Sequence, residues 1–532
     1  MTTQGGSYRI TIDPGRIDTL FQAFDQTDHP GCAVGIALHG EPVYRRGFGL
    51  ATTELPVSMT PSIRTRIGST SKHFACLAFM LLVEDGRAEL DTPIGRYLSE
   101  LSSPVADIPM RALMSHTGGA LDAFEVVMQY LPNFGNVLAS SDLAKLTAQV
   151  NTLQFKTGES WSYNNSAYVL LTAVIEKLSG EKLEDVLRKR IFEPAGMLDT
   201  ELRRRDHVYA SNVATQHLPD GMGHFVRSPG FRSEIAGEGG IIATVDDMLR
   251  WLRHMSAPVV GSASTWQAMQ AATVLPNGVD THYGLGLFNE TYRGVRVISH
   301  AGGVIGGGCD MARLPDLGLD IFITFNYSGA PLAPTLTRAI IDTCIEGLDP
   351  MEACAPGKSF SGLFFPEGID HPVSIVEEDG VLLIDLTSMK VPALWNQSGH
   401  IYHPFLFGTS IQPPSPDAPD AIVVNEFGHK TVMRHLPKAP QSPSMIAGRY
   451  RLASWDAHVT IHEEGDHAVM VVDHAQWGRS MHRLQSHGAG WWHAVPTSDA
   501  LQTPKWLLFA QDHQTAWGIS PRARGVTLRR EN

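Results

Sequence analysis

The segment Ile67-Gly68-Ser69-Thr70-Ser71-Lys72-His73-Phe74 decides the fold of this sequence. From Lys72 the chain is apolar nearly all round as far as Asp85 and stops at Gly86, which predicts a buried central helix. Ser69 and Lys72 are three residues apart at the start of that helix, so their side chains lie on one face. Burial lowers the pKa of a lysine, and a neutral amine beside a hydroxyl can activate that hydroxyl as a nucleophile.

A Ser-x-x-Lys pair by itself is weak evidence, because such a serine is commonly a helix N-cap and such a lysine a solvated side chain. Two further segments strengthen it. Tyr163-Asn164-Asn165 lies in a loop that enters a predicted helix at 167–178. His300-Ala301-Gly302-Gly303 follows a predicted strand at 295–299. Together the three segments indicate one site built from distant parts of the chain.

The second segment offers residue types that suit acyl transfer. Tyr163, if it lies close to Ser69, could relay a proton to a leaving group. Asn165 could hold Lys72 and donate to a substrate amide oxygen. The ordinary alternative is a packed loop aromatic followed by a helix N-cap.

The third segment combines a histidine with a glycine pair. His300 could orient Tyr163 or bind substrate, although an isolated histidine is more often a satisfied structural residue. Gly302 and Gly303 let the backbone approach a ligand closely, which makes both candidate substrate-binding residues. The backbone N–H groups of Ser69 and Gly303 would then form an oxyanion hole.

In order and spacing these segments resemble the serine β-lactamase and penicillin-recognising enzyme family, in its branch of class C-type enzymes. The resemblance implies a β-lactamase-like, transpeptidase-like catalytic domain of the α/β (α+β) class. It implies that Ser69 is acylated and that Lys72 and Tyr163 share the proton transfers. Further stretches extend the resemblance from about residue 20 to 345: Leu113-Met-Ser-His116-Thr-Gly118-Gly, Ile191-Phe-Glu-Pro194-Ala-Gly196-Met-Leu-Asp-Thr200, Gly237-Glu-Gly239-Gly240-Ile-Ile-Ala-Thr244-Val-Asp-Asp247-Met248 and Tyr283-Gly284-Leu285-Gly286-Leu287.

The domain organisation follows from a change of pattern along the chain. Strand patterns at 32–39, 41–48, 295–299 and 319–326 predict a mixed sheet assembled from both ends of the first domain. Short alternating strands dominate 359–436 and 445–532, and Ser361-Gly362-Leu363-Phe364 resembles Ala447-Gly448-Arg449-Tyr450, 86 residues further on. We therefore predict a catalytic domain at 1–345, a linker at 346–358, a small antiparallel β-barrel at 359–436, a linker at 437–444 and a second β-barrel at 445–532.

This three-domain arrangement is similar to the bacterial D-aminopeptidase branch of the family, whose third domain sends a loop toward the active site. The corresponding place here is 472–485. No acid directly follows Ser480 to pair with a substrate ammonium, and Asp473 is most simply a hairpin residue. The resemblance implies an aminopeptidase that releases an N-terminal D-amino acid from peptides, amides or esters. An esterase, a D,D-carboxypeptidase, a β-lactamase and a non-catalytic acylated sensor remain alternatives.

The composition of the chain limits the classes of binding partner and indicates a cellular compartment. The 532-residue chain carries a formal net charge of −13 and no long basic run, which argues against a nucleic-acid or membrane partner. Its five cysteines are scattered and its 23 histidines form no His-Glu-x-x-His run, so we expect no disulfide framework, metal or cofactor. The first ten residues lack a basic start and an apolar core, so a cytoplasmic location is expected. A homodimer is left open.

Overall fold

The computed structural model describes residues 2–5, 8–130, 139–150, 152–231, 233–328, 333–351, 357, 359–385, 390–403, 406–436, 440–452, 454–455, 457–475, 478–497 and 504–531 of the 532-residue chain. Among the residues described, α-helices occur in the first part only: α1 Pro14–Phe21, α2 Ser71–Glu84, α3 Met110–Met114, α4 Ala123–Tyr130, α5 Ser140–Ala148, α6 Asn165–Ser179, α7 Leu183–Leu187, α8 Val245–His254, α9 Ala263–Gln270 and α10 Ala333–Cys344. A short 3-10 turn, Gly68–Thr70, leads into α2. None of the described helices has the length and hydropathy of a transmembrane span.

The strands fall into three groups along the chain. The first group is β1 Thr2–Gly5, β2 Tyr8–Thr11, β3 Cys32–Leu38, β4 Glu41–Phe48, β5 Leu50–Thr52, β6 Val57–Ser58, β7 Thr65–Arg66, β8 Glu201–Leu202, β9 His217–Pro219, β10 Phe225–Arg227, β11 Ile241–Ala243, β12 Phe288–Tyr292, β13 Val295–Val304, β14 Gly307–Leu314, β15 Leu319–Phe325 and β16 Ile345–Glu346. The second is β17 Gly362–Pro366, β18 Val373–Glu378, β19 Val381–Asp385, β20 Lys390–Pro392, β21 Leu394–Trp395, β22 Ile401–Tyr402, β23 Thr409–Gln412, β24 Ala421–Glu426 and β25 His429–Arg434. The third is β26 Gly448–Leu452, β27 Ala457–Glu464, β28 His467–His474, β29 Gly478–Gly488, β30 Trp491–Pro496, β31 Lys505–Phe509, β32 Thr515–Ser520 and β33 Ala523–Arg530.

Helix α2 is the buried centre of the first part. Every residue from Ser71 to Leu82 is buried, which confirms the predicted central helix. Tyr168 of α6 and Trp251 of α8 belong to the same apolar core. A helix that is apolar all round has to be enclosed, and here that enclosure also takes Lys72 out of water.

The main sheet joins the two ends of this part in the order β12-β13-β14-β15-β3-β4. Strands β3 and β15 meet at its centre, with Cys32 opposite Phe325. The predicted mixed sheet is wrong in one respect, because every neighbouring pair is antiparallel. Consecutive hairpins need only short turns, whereas a parallel pair would require a long crossover. Helix α10 ends at Cys344, and Ile345–Glu346 form strand β16.

The two C-terminal groups of strands form the predicted pair of β-structures. Strands β17 to β25 make a nine-stranded, nearly closed sheet in the order β20-β19-β18-β17-β25-β24-β23-β22-β21. Strands β26 to β33 make a closed barrel. Gly362 pairs with Ile375 in the first, and Gly448 pairs with Ile461 in the second. The repeat therefore extends to the register of the strands, because corresponding residues occupy corresponding pairs.

Helices α4 and α5 of the first part pack against the barrel and share its core. Val126, Tyr130 and Leu146 lie in one cluster with Met470 and Trp492. The Trp455 indole N–H donates to the carbonyl of Leu146 over 2.8 Å. The barrel is thus joined to the first part through a continuous apolar core, which favours a fixed relative position of the two.

Arg524 ties the barrel to the nine-stranded sheet. Its guanidinium lies 3.0 Å from Asp370 Oδ1 and donates to the Glu426 carboxylate over 2.8 and 2.9 Å. Burial raises the pKa of Asp370, but the hydrogen bond to His371 and the charge of Arg524 outweigh it and hold that pKa at about 2. The carboxylate is therefore stabilised as an ion in the folded protein.

Arg524→Gln is expected to lower the free energy of unfolding by about 2 kcal/mol at neutral pH, because two partly buried carboxylates lose their counter-charge. Since the folded pKa of Asp370 lies below the unfolded value near 4, this stabilisation is present above about pH 4 and is lost as the pH falls toward 2. Melting temperatures of the wild type and the variant at pH 7 and pH 3 measure this stabilisation. Arg434→Gln, which removes an exposed bridge to Asp420, is the control and should change little. Equal losses in both variants at both pH values would contradict the assignment.

Candidate active site

Ser69 and Lys72 lie together where the 3-10 turn enters α2. The Lys72 amine is 3.1 Å from Ser69 Oγ. It also donates to Asn165 Oδ1 over 2.8 Å and to the carbonyl oxygen of Glu238 over 2.7 Å. Three acceptors therefore surround one amine. If the amine loses a proton, the two fixed acceptors retain its remaining hydrogens and its lone pair is directed at Ser69.

Burial makes that proton loss accessible near neutral pH. Lys72 has no exposed surface, and desolvation lowers its pKa to about 7. The Glu238 carboxyl opposes this shift, and the charge of Arg522 adds to it. Burial in turn raises the pKa of the Glu238 carboxyl, with Lys72 opposing.

Tyr163 is the third member of this group. Its ring centre lies 4.7 Å from the Lys72 amine. Burial raises the pKa of Tyr163, while the neighbouring Ser69 hydroxyl and the charge of Arg522 act in the opposite direction. Tyr163 is therefore a protonated phenol at neutral pH, suited to donating a proton.

The imidazole of His116 packs against the ring of Tyr163. The ring centres of His116 and Tyr163 are 4.5 Å apart, and the N–H of Asn164 donates to His116 Nδ1 over 3.1 Å. Burial and then the charge of Lys72 lower the pKa of His116, so it stays neutral and can accept that bond. The left-handed backbone of His116, with φ of 62°, directs the imidazole into the site.

Asp122 fixes the start of α6, which carries Asn165. Its carboxylate is fully buried and accepts from the N–H groups of Asn165 and Ser166 at 3.0 and 3.2 Å, and from the Ser166 hydroxyl at 2.7 Å. Asn164 caps the helix by accepting from Ala167 N–H over 2.9 Å. Asn165 is consequently the first helical residue and not the N-cap, which frees its side chain for Lys72.

Strand β13 passes directly beside the turn of Ser69. A Cβ added at Gly302 would lie 1.9 Å from the carbonyl oxygen of Ile67, and one added at Gly68 would lie 2.8 Å from the carbonyl oxygen of Gly303. A Cβ at Gly303 would meet no atom within 4 Å. Gly302 is therefore required for packing, whereas Gly303 borders open space beside the candidate nucleophile.

His300 lies on the same strand but does not pair with Tyr163 in the manner considered above. Its Nε2 is 3.0 Å from the hydroxyl of Tyr283 and its Nδ1 is 2.7 Å from the carbonyl oxygen of Ala301. Burial, then the charge of Lys72, lowers the pKa of His300 to about 3. His300 is a neutral group of the site wall, and its assignment to substrate binding stays a prediction.

The barrel reaches the site through the tip of its last hairpin. Ser520 pairs with Ala523, so Pro521 and Arg522 form a two-residue turn. The N–H of Asp122 donates to the carbonyl of Arg522 over 3.3 Å. The guanidinium carbon lies 4.9 Å from the centre of the Tyr163 ring.

Aromatic rings of the nine-stranded sheet pack against Trp161, two residues before Tyr163. Trp161 has its ring centre 5.3 Å from that of Phe427 and 5.8 Å from that of Phe407. Asn277 Nδ2 donates to the carbonyl of Phe427 over 2.9 Å, which anchors this contact. Both C-terminal β-structures thus contribute side chains next to the Tyr163 segment.

The predicted loop at 472–485 is mostly strand. Strands β28 and β29 pair as far as His474 and Gly478, while Gln476 and Trp477 lie outside the described residues. Asp473 forms an ion pair of 2.7 Å with Arg479, and Ser480 Oγ donates to the carbonyl of Tyr130 over 2.8 Å. The idea that this segment reaches the active site stays a prediction.

The sequence did not identify Asp122, Tyr283 and Arg522 as neighbours of the site, and it indicated no role for His116. The segment containing His116 was recognisable as a family stretch. Arg522 carried the weakest signal, because a Pro-Arg pair between two strands indicates only a hairpin tip.

Residues 17–345 match the beta-lactamase family model, and the chain belongs to the beta-lactamase family. The predicted family resemblance and fold class are confirmed. The chain is 28% identical over 507 residues to a D-aminopeptidase of Brucella anthropi, covering 91% of each chain. It is 26% identical over 325 residues to a D-aminopeptidase of Cereibacter sphaeroides, covering 60% of this chain and 61% of the relative. The structure of an octameric penicillin-binding protein homologue from Pyrococcus abyssi superposes with a TM-score of 0.55 and 19% identity, covering 97% of this chain and all of that one.

Proposed function

We propose that this protein is a D-stereospecific serine hydrolase that acts as an aminopeptidase through an acyl-enzyme on Ser69. The observation that carries the proposal is the fully buried Lys72 amine, 3.1 Å from Ser69 Oγ. The similarity to a D-aminopeptidase supports the proposed preference for D-amino acids, since it spans 91% of the chain, including both β-structures.

In the acylation step, Ser69 Oγ attacks the substrate carbonyl carbon while its proton passes to the neutral Lys72 amine. The oxygen–carbon bond forms, and the carbonyl oxygen becomes an oxyanion. Tyr163 then delivers a proton to the leaving nitrogen as the carbon–nitrogen bond breaks, and Lys72 restores the phenol proton. This division of labour follows from a lysine whose pKa is lowered to about 7 beside a phenol whose pKa is raised.

The oxyanion needs donors on the open side of the serine turn. The backbone N–H groups of Ser69 and Gly303 are the proposed donors, because Gly303 borders open space next to Gly68. Loss of one such donor typically slows a reaction about 100- to 1,000-fold. Water then attacks the acyl carbon, the ester bond breaks, and Ser69 regains its proton as the amino acid leaves.

The alternatives use the same machinery on other substrates. An esterase would turn over esters only, and a D,D-carboxypeptidase or β-lactamase would require an N-blocked substrate or a lactam. An acylated sensor would release no more than one product per site. Small peptides, amides or esters are the proposed substrates; the cytoplasmic location and a homodimer stay predictions.

The test compares the hydrolysis of D-alanine p-nitroanilide with that of L-alanine p-nitroanilide, N-acetyl-D-alanine p-nitroanilide and D-alanine p-nitrophenyl ester. Repeated turnover of the free-amine D compounds, with at least about tenfold preference over the L anilide and the acetylated one, is expected. Turnover of the ester alone would support the esterase instead. Ser69→Ala is expected to abolish covalent labelling by an acyl phosphonate, and labelling that persists would exclude Ser69 as the nucleophile.

A further inference from the structure

Arg522 is a cation presented to the active site by a different domain. Four contacts hold its hairpin tip in place. The Asp122 N–H donates to the carbonyl of Arg522, and the Arg524 N–H donates to the Gln154 side chain over 3.2 Å. Arg524 also forms ion pairs with Asp370 and Glu426. A tip fixed on both sides places its side chain with little freedom. The barrel therefore adds a defined charge beside Tyr163.

The guanidinium of Arg522 has no hydrogen bond or ion pair with any residue that the structure describes, and it is partly exposed. Asp122 contacts the backbone of Arg522, and the charge of Arg522 acts on the carboxyl group of Glu125. The carboxylate of Asp122 is occupied by the start of α6, and that of Glu125 accepts from Gln129 Nε2 over 3.0 Å. Burial raises the pKa of Glu125 despite the charge of Arg522, which reduces its value as a counter-ion. The charge of Arg522 is thus left for a ligand.

The position of Arg522 beside Tyr163 determines which part of the substrate it can contact. Tyr163 hands its proton to the leaving nitrogen in the proposed reaction, so the neighbourhood of its ring is the leaving-group side. The carboxyl carbon of a leaving amino acid is two bonds from that nitrogen, at about 2.5 Å, so its oxygens lie on the same side of the site. A planar guanidinium with free N–H groups binds a carboxylate through two parallel hydrogen bonds.

We propose that Arg522 binds the α-carboxylate of the leaving residue, so that the preferred substrates are dipeptides with a free C-terminus. The inference rests on the proposed function for its orientation of the substrate. It assigns the barrel a chemical task, which is to distinguish a carboxylate leaving group from a neutral amide.

The experiment compares kcat/KM for D-alanyl-glycine and D-alanyl-glycinamide in the full-length protein and in its Arg522→Gln variant. The wild type is expected to favour the free acid at least about tenfold, and the variant to lose most of that ratio, since a charge-assisted bond contributes about 10- to 100-fold. Arg522→Lys should retain part of the preference for the free acid over the amide. Arg449→Gln, which removes an exposed barrel arginine paired with Glu531, is the control and should keep the whole acid-to-amide ratio. An acid-to-amide ratio that is the same in the wild type and in Arg522→Gln would overturn the inference.

A second measurement separates this inference from the proposed function. Ser69 is labelled with the phenyl and the 3-carboxyphenyl esters of one acyl phosphonate, whose leaving groups differ by a carboxylate. In the wild type, the 3-carboxyphenyl ester should label Ser69 faster than the phenyl ester. Arg522→Gln is expected to lower the ratio of the 3-carboxyphenyl rate to the phenyl rate about tenfold, whatever the amino-acid specificity. If D-substrates are not hydrolysed but this ratio falls, the carboxylate site stands and the D-aminopeptidase proposal fails. If the ratio is unchanged, the carboxylate site is rejected.

Discussion

Lys72→Met is expected to lower kcat/KM for D-alanine p-nitroanilide at least about 1,000-fold, within the range typical for loss of a general base. Methionine occupies a similar volume but cannot accept the Ser69 proton. The folded state should survive, because the variant loses hydrogen bonds to Asn165 and Glu238 but no longer buries an amine. Activity and melting temperature are measured on the same samples. The activity is expected to fall strongly, whereas the melting temperature should change little.

Lys505→Met is the matched control for this prediction. Lys505 is also buried, and its amine donates to the carbonyl of Gln129 and lies 4.2 Å from the ring centre of Tyr130. Burial lowers its pKa as well, but it is located in the barrel and away from Ser69. The control should retain activity and, for the same reason as Lys72→Met, remain folded. Similar activity losses in both variants would indicate a general effect of removing a buried lysine.

The same assignment fixes the direction of the pH dependence. Below about pH 7 Lys72 is protonated and cannot accept the Ser69 proton, so the rate should fall about tenfold per pH unit there. Phosphonate labelling of Ser69 reports this ionisation without a titrating substrate amine. A rate that is level between pH 5 and pH 8 would argue against Lys72 as the base.

The parts of the site that the sequence predicts are those encoded locally. Ser69 and Lys72 are three residues apart on one helix, so their proximity follows from helix geometry alone. The glycine pair after a strand likewise marks a close approach wherever that strand lies. Tyr163 and Asn165 could be placed in the same site only through the family resemblance, because no local pattern relates residues almost a hundred positions apart.

The parts that could not be predicted depend on packing between domains. Arg522 reaches Tyr163 because α4 and α5 share a core with the barrel and orient its last hairpin. The partner of His300 depends on how Tyr283 enters the same core, where it took the contact that Tyr163 was expected to make. Strand alternation predicted the β-structures well, since burial with period two is local, but it carried no information on which hairpin faces the catalytic domain.

Gly302→Ala is expected to slow phosphonate labelling of Ser69 at least about 100-fold, the loss typical of a displacement of about 1 Å in a catalytic site. The added Cβ would lie 1.9 Å from the carbonyl oxygen of Ile67 and 2.8 Å from Sγ of Cys309. Neither atom can move freely, because Ile67 N–H is bonded to Ile241 and Cys309 Sγ donates to that same Ile67 carbonyl. The strand must therefore move away from the serine turn, and a lower melting temperature should accompany the slower labelling.

Gly303→Ala separates this packing effect from the general effect of adding a methyl group to β13. An added Cβ at Gly303 meets no atom within 4 Å, so the melting temperature should remain within about 1 °C of the wild type. Any loss in labelling by that variant then reports the open side of the cleft, where the proposed oxyanion donor lies. If Gly302→Ala melts and labels like the wild type, close contact between β13 and the turn of Ser69 is not what builds the site. If it loses both while Gly303→Ala keeps its stability, the position of the nucleophile depends on a backbone contact that only glycine permits.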